Sequence, residues 1–186
     1  MRIALVLANP ATAPHTGWPV GFWWSELTHP WDEFTRAGAQ VDLYSPLGGA
    51  CVGDAMSNPN DPSGYSAWDQ VSAQFLSDPA HRALVETTRP IAELDVSAYD
   101  ALLVAGGQSP MFTFAEATAL HQKFADFYRT GKITAALCHG VAILNYAKVD
   151  GQPLAKGKTV TGFSNAEEDH ADHASRQMEL LPPDGH

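Results

Sequence analysis

The sequence predicts an α/β fold in which a mostly parallel sheet is covered by helices on both faces. Three observations carry this expectation. Short apolar and β-branched runs at 2–8, 41–44, 101–105 and 133–137 are interleaved with longer stretches of helical periodicity at 23–37, 114–129 and 139–148. The runs are near-continuously apolar rather than alternating, as strands buried on both faces are. Each run also ends at a break: Asn9-Pro10, Ser45-Pro46, Gly106-Gly107 and Cys138-His139-Gly140.

The elements follow in order. Residues 2–8 form the first strand, since the run is too short and lacks the cleavage site of a signal peptide. A loop rich in proline leads to a helix over 23–37, with Leu27, Trp31 and Phe34 on one face and Gly38 closing it. Pro30 lies inside that helix, so a kink or a late start is expected. A second strand at 41–44 turns at Ser45-Pro46-Leu47-Gly48-Gly49 into a long polar loop, 50–66, of the kind that is usually functional or mobile. Short helices at 67–76 and 79–86 precede the strand at 101–105. The helix over 114–129 turns Leu120, Phe124 and Phe127 inward. After 133–148 come a turn at Asp150-Gly151-Gln152-Pro153, a strand over 159–163 and a helix from Ala166. The whole chain, 1–186, is expected to form a single domain.

The stretch from Ile133 to Leu144 organises the rest. It runs as a strand, breaks at Cys138-His139-Gly140 and resumes with helical spacing. That is the pattern of a nucleophile elbow, where the reactive side chain sits on a tight strand-to-helix turn flanked by small residues, here Ala136 and Gly140. A thiol at a helix amino end is biased toward thiolate, and His139 adds a base beside it. A structural cysteine at a strand end is the alternative.

Composition bounds the function. A net charge of −10 argues against nucleic acid or an anionic membrane as partner. No apolar run approaches the length of a membrane span. The two cysteines, Cys51 and Cys138, make no disulfide framework, which fits the cytoplasm. Cys51 has no partner motif. His170 and His173 lie at helical spacing among acids, where a solvated helix face outweighs a metal site, and no metal is assigned.

In a parallel sheet, ligands bind beyond the carboxyl ends of the strands. Cys138 and His139 end one strand there. Gly106 and Gly107 end another and offer amides for an oxyanion, or make a plain tight turn. Glu26, after the first strand, is either a general acid/base near the thiol or a solvated first-turn carboxylate. Glu167 and Glu168 open the last helix.

The motif Ala136-Leu137-Cys138-His139-Gly140 resembles the elbow of the ThiJ/PfpI family, whose fold is flavodoxin-like and akin to class I glutamine amidotransferases. The block from Gly21 to Gly49, with Glu26, Pro30, Ala37-Gly38 and Ser45-Pro46-Leu47-Gly48-Gly49, is similar to that family too, as is Val160 to Glu168. The resemblance is nearest to the branch of glutathione-independent glyoxalases and heat-shock-type chaperones. It implies Cys138 as nucleophile, His139 as its histidine, Glu168 (or the neighbouring Glu167) as the carboxylate behind it, and Glu26 as the acid beside the thiol. Gly106, Gly107, His139 and Gly140 would bind oxyanion and substrate. It also implies a homodimer that needs no cofactor and takes a small aldehyde or amide. Two departures stand out: Gln108-Ser109-Pro110-Met111-Phe112 replaces the family's His-Gly continuation, and the carboxyl end is shorter than usual. The leading expectation is conversion of methylglyoxal to lactate. Hydrolase, amidase or isocyanide hydratase chemistry at the same site, and a stress chaperone or redox sensor without turnover, are the alternatives.

Overall fold

In the computed structural model, which describes residues 1–14 and 16–177, five parallel strands form the central sheet in the order β5-β4-β1-β6-β7. These are β1 (Arg2–Val6), β4 (Gln40–Ser45), β5 (Arg89–Pro90), β6 (Ala101–Val104) and β7 (Ile133–Ala136). A small hairpin, β2 (Ala11–Thr12) with β3 (Pro19–Val20), interrupts the first loop, and another pairs β8 (Lys148–Val149) with β9 (Gln152–Pro153). The helices are α1 (Trp24–Arg36), α2 (Gln70–Ser77), α3 (Pro79–Glu86), the short α4 (Pro110–Thr113), α5 (Thr118–Arg129) and α6 (Asn165–Gln177).

Alternation along β1 divides the interior in two. Ala4 and Val6 join Leu102, Val104 and the inward face of α5, Leu120, Phe124 and Phe127. Leu5 and Leu7 join Leu43, Leu103, Leu27 of α1, Phe75 of α2 and Val85 of α3. A strand with both faces covered must be apolar at successive positions, which is why 2–8 shows no polar alternation. Register runs in step across the sheet, with Ile3 opposite both Val41 and Ala101, and Ala101 opposite Ile133. Connections leave β1 toward β4 on one side and reach β6 on the other, so the switch in strand order falls between β1 and β6.

Several expectations are corrected. Helix α1 runs unbroken through Pro30, losing only the bond that this nitrogen would have made to the carbonyl of Glu26. The stretch after the elbow is not an α-helix but tight 3₁₀ turns over Cys138–Asn145. Residues 159–163 form no strand; they run as irregular chain with Phe163 packed on the ring of His139, 4.8 Å between centroids. The elbow strand is not buried on both sides. Among the described residues β7 is the sheet edge, and Ile133 is 60% exposed. The helix expected over 114–129 begins only at Thr118, after a separate turn at Phe114–Glu116. The acidic stretch from Asp169 to His173 lies on α6, while Asp172's side chain and Leu180 to Pro183 fall outside what is described.

Of the two expectations for the loop at 50–66, functional or mobile, mobility is not what the structure shows: the loop is anchored. Phe22 N–H donates to Val52 O, Cys51 N–H to Val85 O, and Trp24 N–H at the start of α1 to Ser57 Oγ. Ser57 thereby caps a helix more than thirty residues away in sequence. Gly53 permits this approach, since a Cβ there would lie 2.2 Å from the indole nitrogen of Trp24.

The elbow presses on the end of β6 through Gly140. A Cβ at that position would lie 2.8 Å from the carbonyl oxygens of both Val104 and Ala105. Gly140→Ala is expected to cost about 1–3 kcal/mol, the usual range for overpacking, read as a lowered melting temperature with the far-UV spectrum unchanged.

Candidate functional site

The carboxyl ends of β1, β6 and β7 meet at one place. Cys138, first residue past β7 and Leu137, has φ of 48°, in the left-handed region. For a residue with a Cβ this conformation is costly and persists only where surrounding structure enforces it. The enforcement is visible. Gly140 N–H donates to Leu137 O at 2.7 Å, closing the turn, and Gly106 packs so closely that a Cβ there would lie 2.9 Å from Cβ of Cys138.

Two side chains flank the sulfur, and a third stands behind one of them. His139 Nδ1 lies 3.5 Å from Cys138 Sγ, and its Nε2 lies 2.5 Å from Glu168 Oε1. The sequence left Glu167 and Glu168 as alternatives behind the histidine, and the geometry separates them. Glu167 turns back to accept from Ser164 N–H and Oγ–H while its own N–H faces Ser164 Oγ, a reciprocal cap at the start of α6. The next residue, Glu168, is thereby aimed at the imidazole. On the other side, Glu26 in the first turn of α1 accepts from Gly106 N–H at 2.7 Å and interacts with the thiol.

The backbone donors divide as well. Gly106 N–H is engaged by Glu26 and Gly140 N–H by Leu137, whereas the amides of Gly107 and His139 are directed at the sulfur. Gly107 has φ of 90° and lies against Gly21 O and Phe22, where a Cβ would approach within 2.6 Å, so only glycine fits this bend.

Protons at this site are held tightly. Burial pushes the Cys138 thiol up to about 12, and the Glu26 carboxylate beside it adds to the rise against the opposing amides of His139 and Gly107. Glu26 is itself raised by burial, opposed by the Gly106 amide, the thiol and His139. The thiol therefore rests protonated as a donor to the Glu26 carboxylate, with His139 Nδ1 also in contact with the sulfur. This reverses the thiolate bias expected of a helix amino end. The cause is that 3₁₀ turns replace the α-helix and a buried carboxylate faces the sulfur.

A third carboxylate was not singled out in the sequence. Asp54, 7% exposed, accepts from Gly21 N–H at 2.7 Å and Gln108 N–H at 2.8 Å. Only the loop's length hinted at it. His139 and Glu168 also line an open cleft of about 510 Å³ with Met111, Val160 and Phe163.

Removing the charge at Glu26 should release the thiol. In Glu26→Gln, alkylation of Cys138 by iodoacetamide at a fixed near-neutral pH is expected to quicken roughly tenfold, one pH unit of thiol shift. An unchanged rate would show that the carboxylate does not govern the sulfur. Glu167→Ala should leave this rate unaltered while costing α6 about 1 kcal/mol of capping, measurable as a lower melting temperature.

Comparison with known proteins agrees with this fold. Glyoxalase 3 of Candida albicans is 30% identical over 149 residues, covering 77% of this chain and 60% of that protein. A probable glutathione-independent glyoxalase of Schizosaccharomyces pombe, hsp3104, is 35% identical over 99 residues, 53% of this chain and 41% of its own length. The chain thus spans about 60% or less of these relatives. Among solved structures, the Rapid Encystment Protein 24 KDa of Francisella tularensis superposes with a TM-score of 0.81 at 28% identity, covering 98% of this chain and 78% of that one. Glyoxalase III from Candida albicans superposes at 0.72 and 25% identity, covering 97% and 76%. The model of the DJ-1/PfpI family matches residues 21–179, and to that family the chain belongs.

Proposed function

We propose that the chain is a glutathione-independent glyoxalase, converting methylglyoxal to lactate with Cys138 as nucleophile and Glu26 as general acid/base. The observation that carries this reading is the thiol of Cys138, held on a strained left-handed turn as donor to a buried carboxylate. The glyoxalase names of its relatives support it.

In this scheme sulfur attacks the aldehyde carbon while Glu26 takes the thiol proton, giving a hemithioacetal. The proton on the former aldehyde carbon is then removed and one is returned to the neighbouring carbon, leaving a thioester of the hydroxy acid. Water cleaves the carbon–sulfur bond, releasing lactate and restoring the thiol. Glu26, raised by burial, suits both proton steps. His139, oriented by Glu168, serves the second transfer or the water, and the Gly107 and His139 amides steady the oxyanion. The cycle is redox-neutral overall and consumes one water.

The rest of the reading concerns setting. Ile133 on the open edge of β7, with Trp68 69% and Leu47 81% exposed, supports a homodimer that covers apolar surface. Both cysteines are free, which suits a reducing cytoplasm.

The pure protein, incubated with methylglyoxal and no glutathione, is expected to form lactate. Cys138→Ser should abolish turnover with the melting temperature nearly unchanged. Glu26→Gln should lower kcat by roughly 10²–10⁴-fold while Cys138 still takes up iodoacetamide. Full activity in either variant would remove that residue from its role. Light scattering at micromolar concentration should give a dimer mass.

A further inference from the structure

We propose that Asp54 is a positioning residue of this site: its carboxylate ties the amide of Gly21 to that of Gln108 and so holds the amide of Gly107 against the sulfur of Cys138. The assignment to Cys138 chemistry rests on the function proposed above; the tie itself rests on geometry.

Asp54 reaches across two loops that frame the site. Oδ1 accepts from Gly21 N–H, in the segment that leads into α1 and Glu26, and Oδ2 accepts from Gln108 N–H, directly after Gly107. Ser109 N–H donates to Gly21 O at 2.9 Å, and Gly107 lies flat against Gly21 O and Phe22. Asp54 is fixed in turn: its N–H donates to Phe22 O, and its carbonyl accepts from Ser57 Oγ–H, the hydroxyl that caps α1. One residue therefore connects the helix that bears Glu26 with the loop that bears Gly107.

The choice of a carboxylate argues for more than loop closure. Two convergent N–H donors need an acceptor with two free oxygens, which Asn cannot offer without turning its NH₂ toward one of them. That acceptor comes at a cost. Burial pushes Asp54 up to about 6, against the two amides and His139, with Glu26 adding to the rise. A buried anion near neutral pH is a standing destabilisation. It is tolerated here at the one point where the anion-binding amide of the site is set.

The test uses variants that separate placement from packing. Asp54→Glu keeps the charge but is one methylene too long to hold both amides. The groups that titrate around it, Glu26 on α1 and His139 at the elbow, are unaltered. If Asp54 positions the Gly107 amide, the thiol loses one hydrogen bond to its charged form, and alkylation of Cys138 by iodoacetamide at fixed near-neutral pH slows about tenfold. General loosening of the fold would expose the thiol and speed alkylation. An unchanged or faster rate in folded Asp54→Glu overturns the proposal. If that variant does not fold, as judged by far-UV circular dichroism, the near-isosteric Asp54→Asn decides. Its kcat for methylglyoxal should fall at least tenfold with KM within about threefold, and a kcat within twofold of the parent overturns the proposal. The alkylation rate of Asp54→Glu is read on Cys138 alone, so absence of lactate formation in the parent protein defeats the glyoxalase reading and leaves the alkylation test of positioning intact.

Discussion

The left-handed turn at Cys138 is the constraint on which the rest of the site depends. An L-residue in that conformation costs about 1–2 kcal/mol. The offset comes from the Gly140 N–H bond to Leu137 O and from two closely packed glycines, Gly140 of the elbow against the carbonyls at the end of β6, and Gly106 against Leu137 O and the cysteine itself. Close approach of backbone to backbone holds the chain to this turn as it leaves β7. The side chain is then presented outward between β6 and β1, where strand order reverses and the sheet opens.

Electrostatics at the turn run against simple expectation. In a chain of net charge −10, three carboxylates, Glu26, Asp54 and Glu168, approach a cysteine and a single histidine. With burial and the Glu26 carboxylate both raising the thiol, such a site favours protonated sulfur over thiolate. Backbone amides, rather than cations, supply the compensating positive ends, and each is delivered by a glycine-rich strand end.

Much of this was legible in the sequence, and the reasons differ by element. The core strands and the inward face of α5 were readable because burial on both sheet faces leaves an unbroken apolar signature. The pairing of Cys138 with His139 was readable because the two are adjacent and flanked by the small residues a sharp turn needs. Glu26, Glu168 and the family followed from motif resemblance, not periodicity. What stayed hidden is tertiary. The elbow's 3₁₀ turns answer to Gly140 packing on β6, which local helical spacing does not register. Residues 159–163 are β-branched enough to suggest a strand, but among the described residues they pair with none, and Phe163 packs on His139. Asp54 lies in a polar loop like any other aspartate until Gly21 and Gln108, distant in sequence, converge on it.

The two cysteines differ in a way that reaches beyond catalysis. Cys51 is buried in the core beside Thr88, whereas Cys138 is partly open to solvent. A thiol reagent therefore meets one group on the folded chain and two on the unfolded one. The molecule carries its own stoichiometric gauge of integrity: a second covalent label per chain signals that the sheet has opened, without any added reporter.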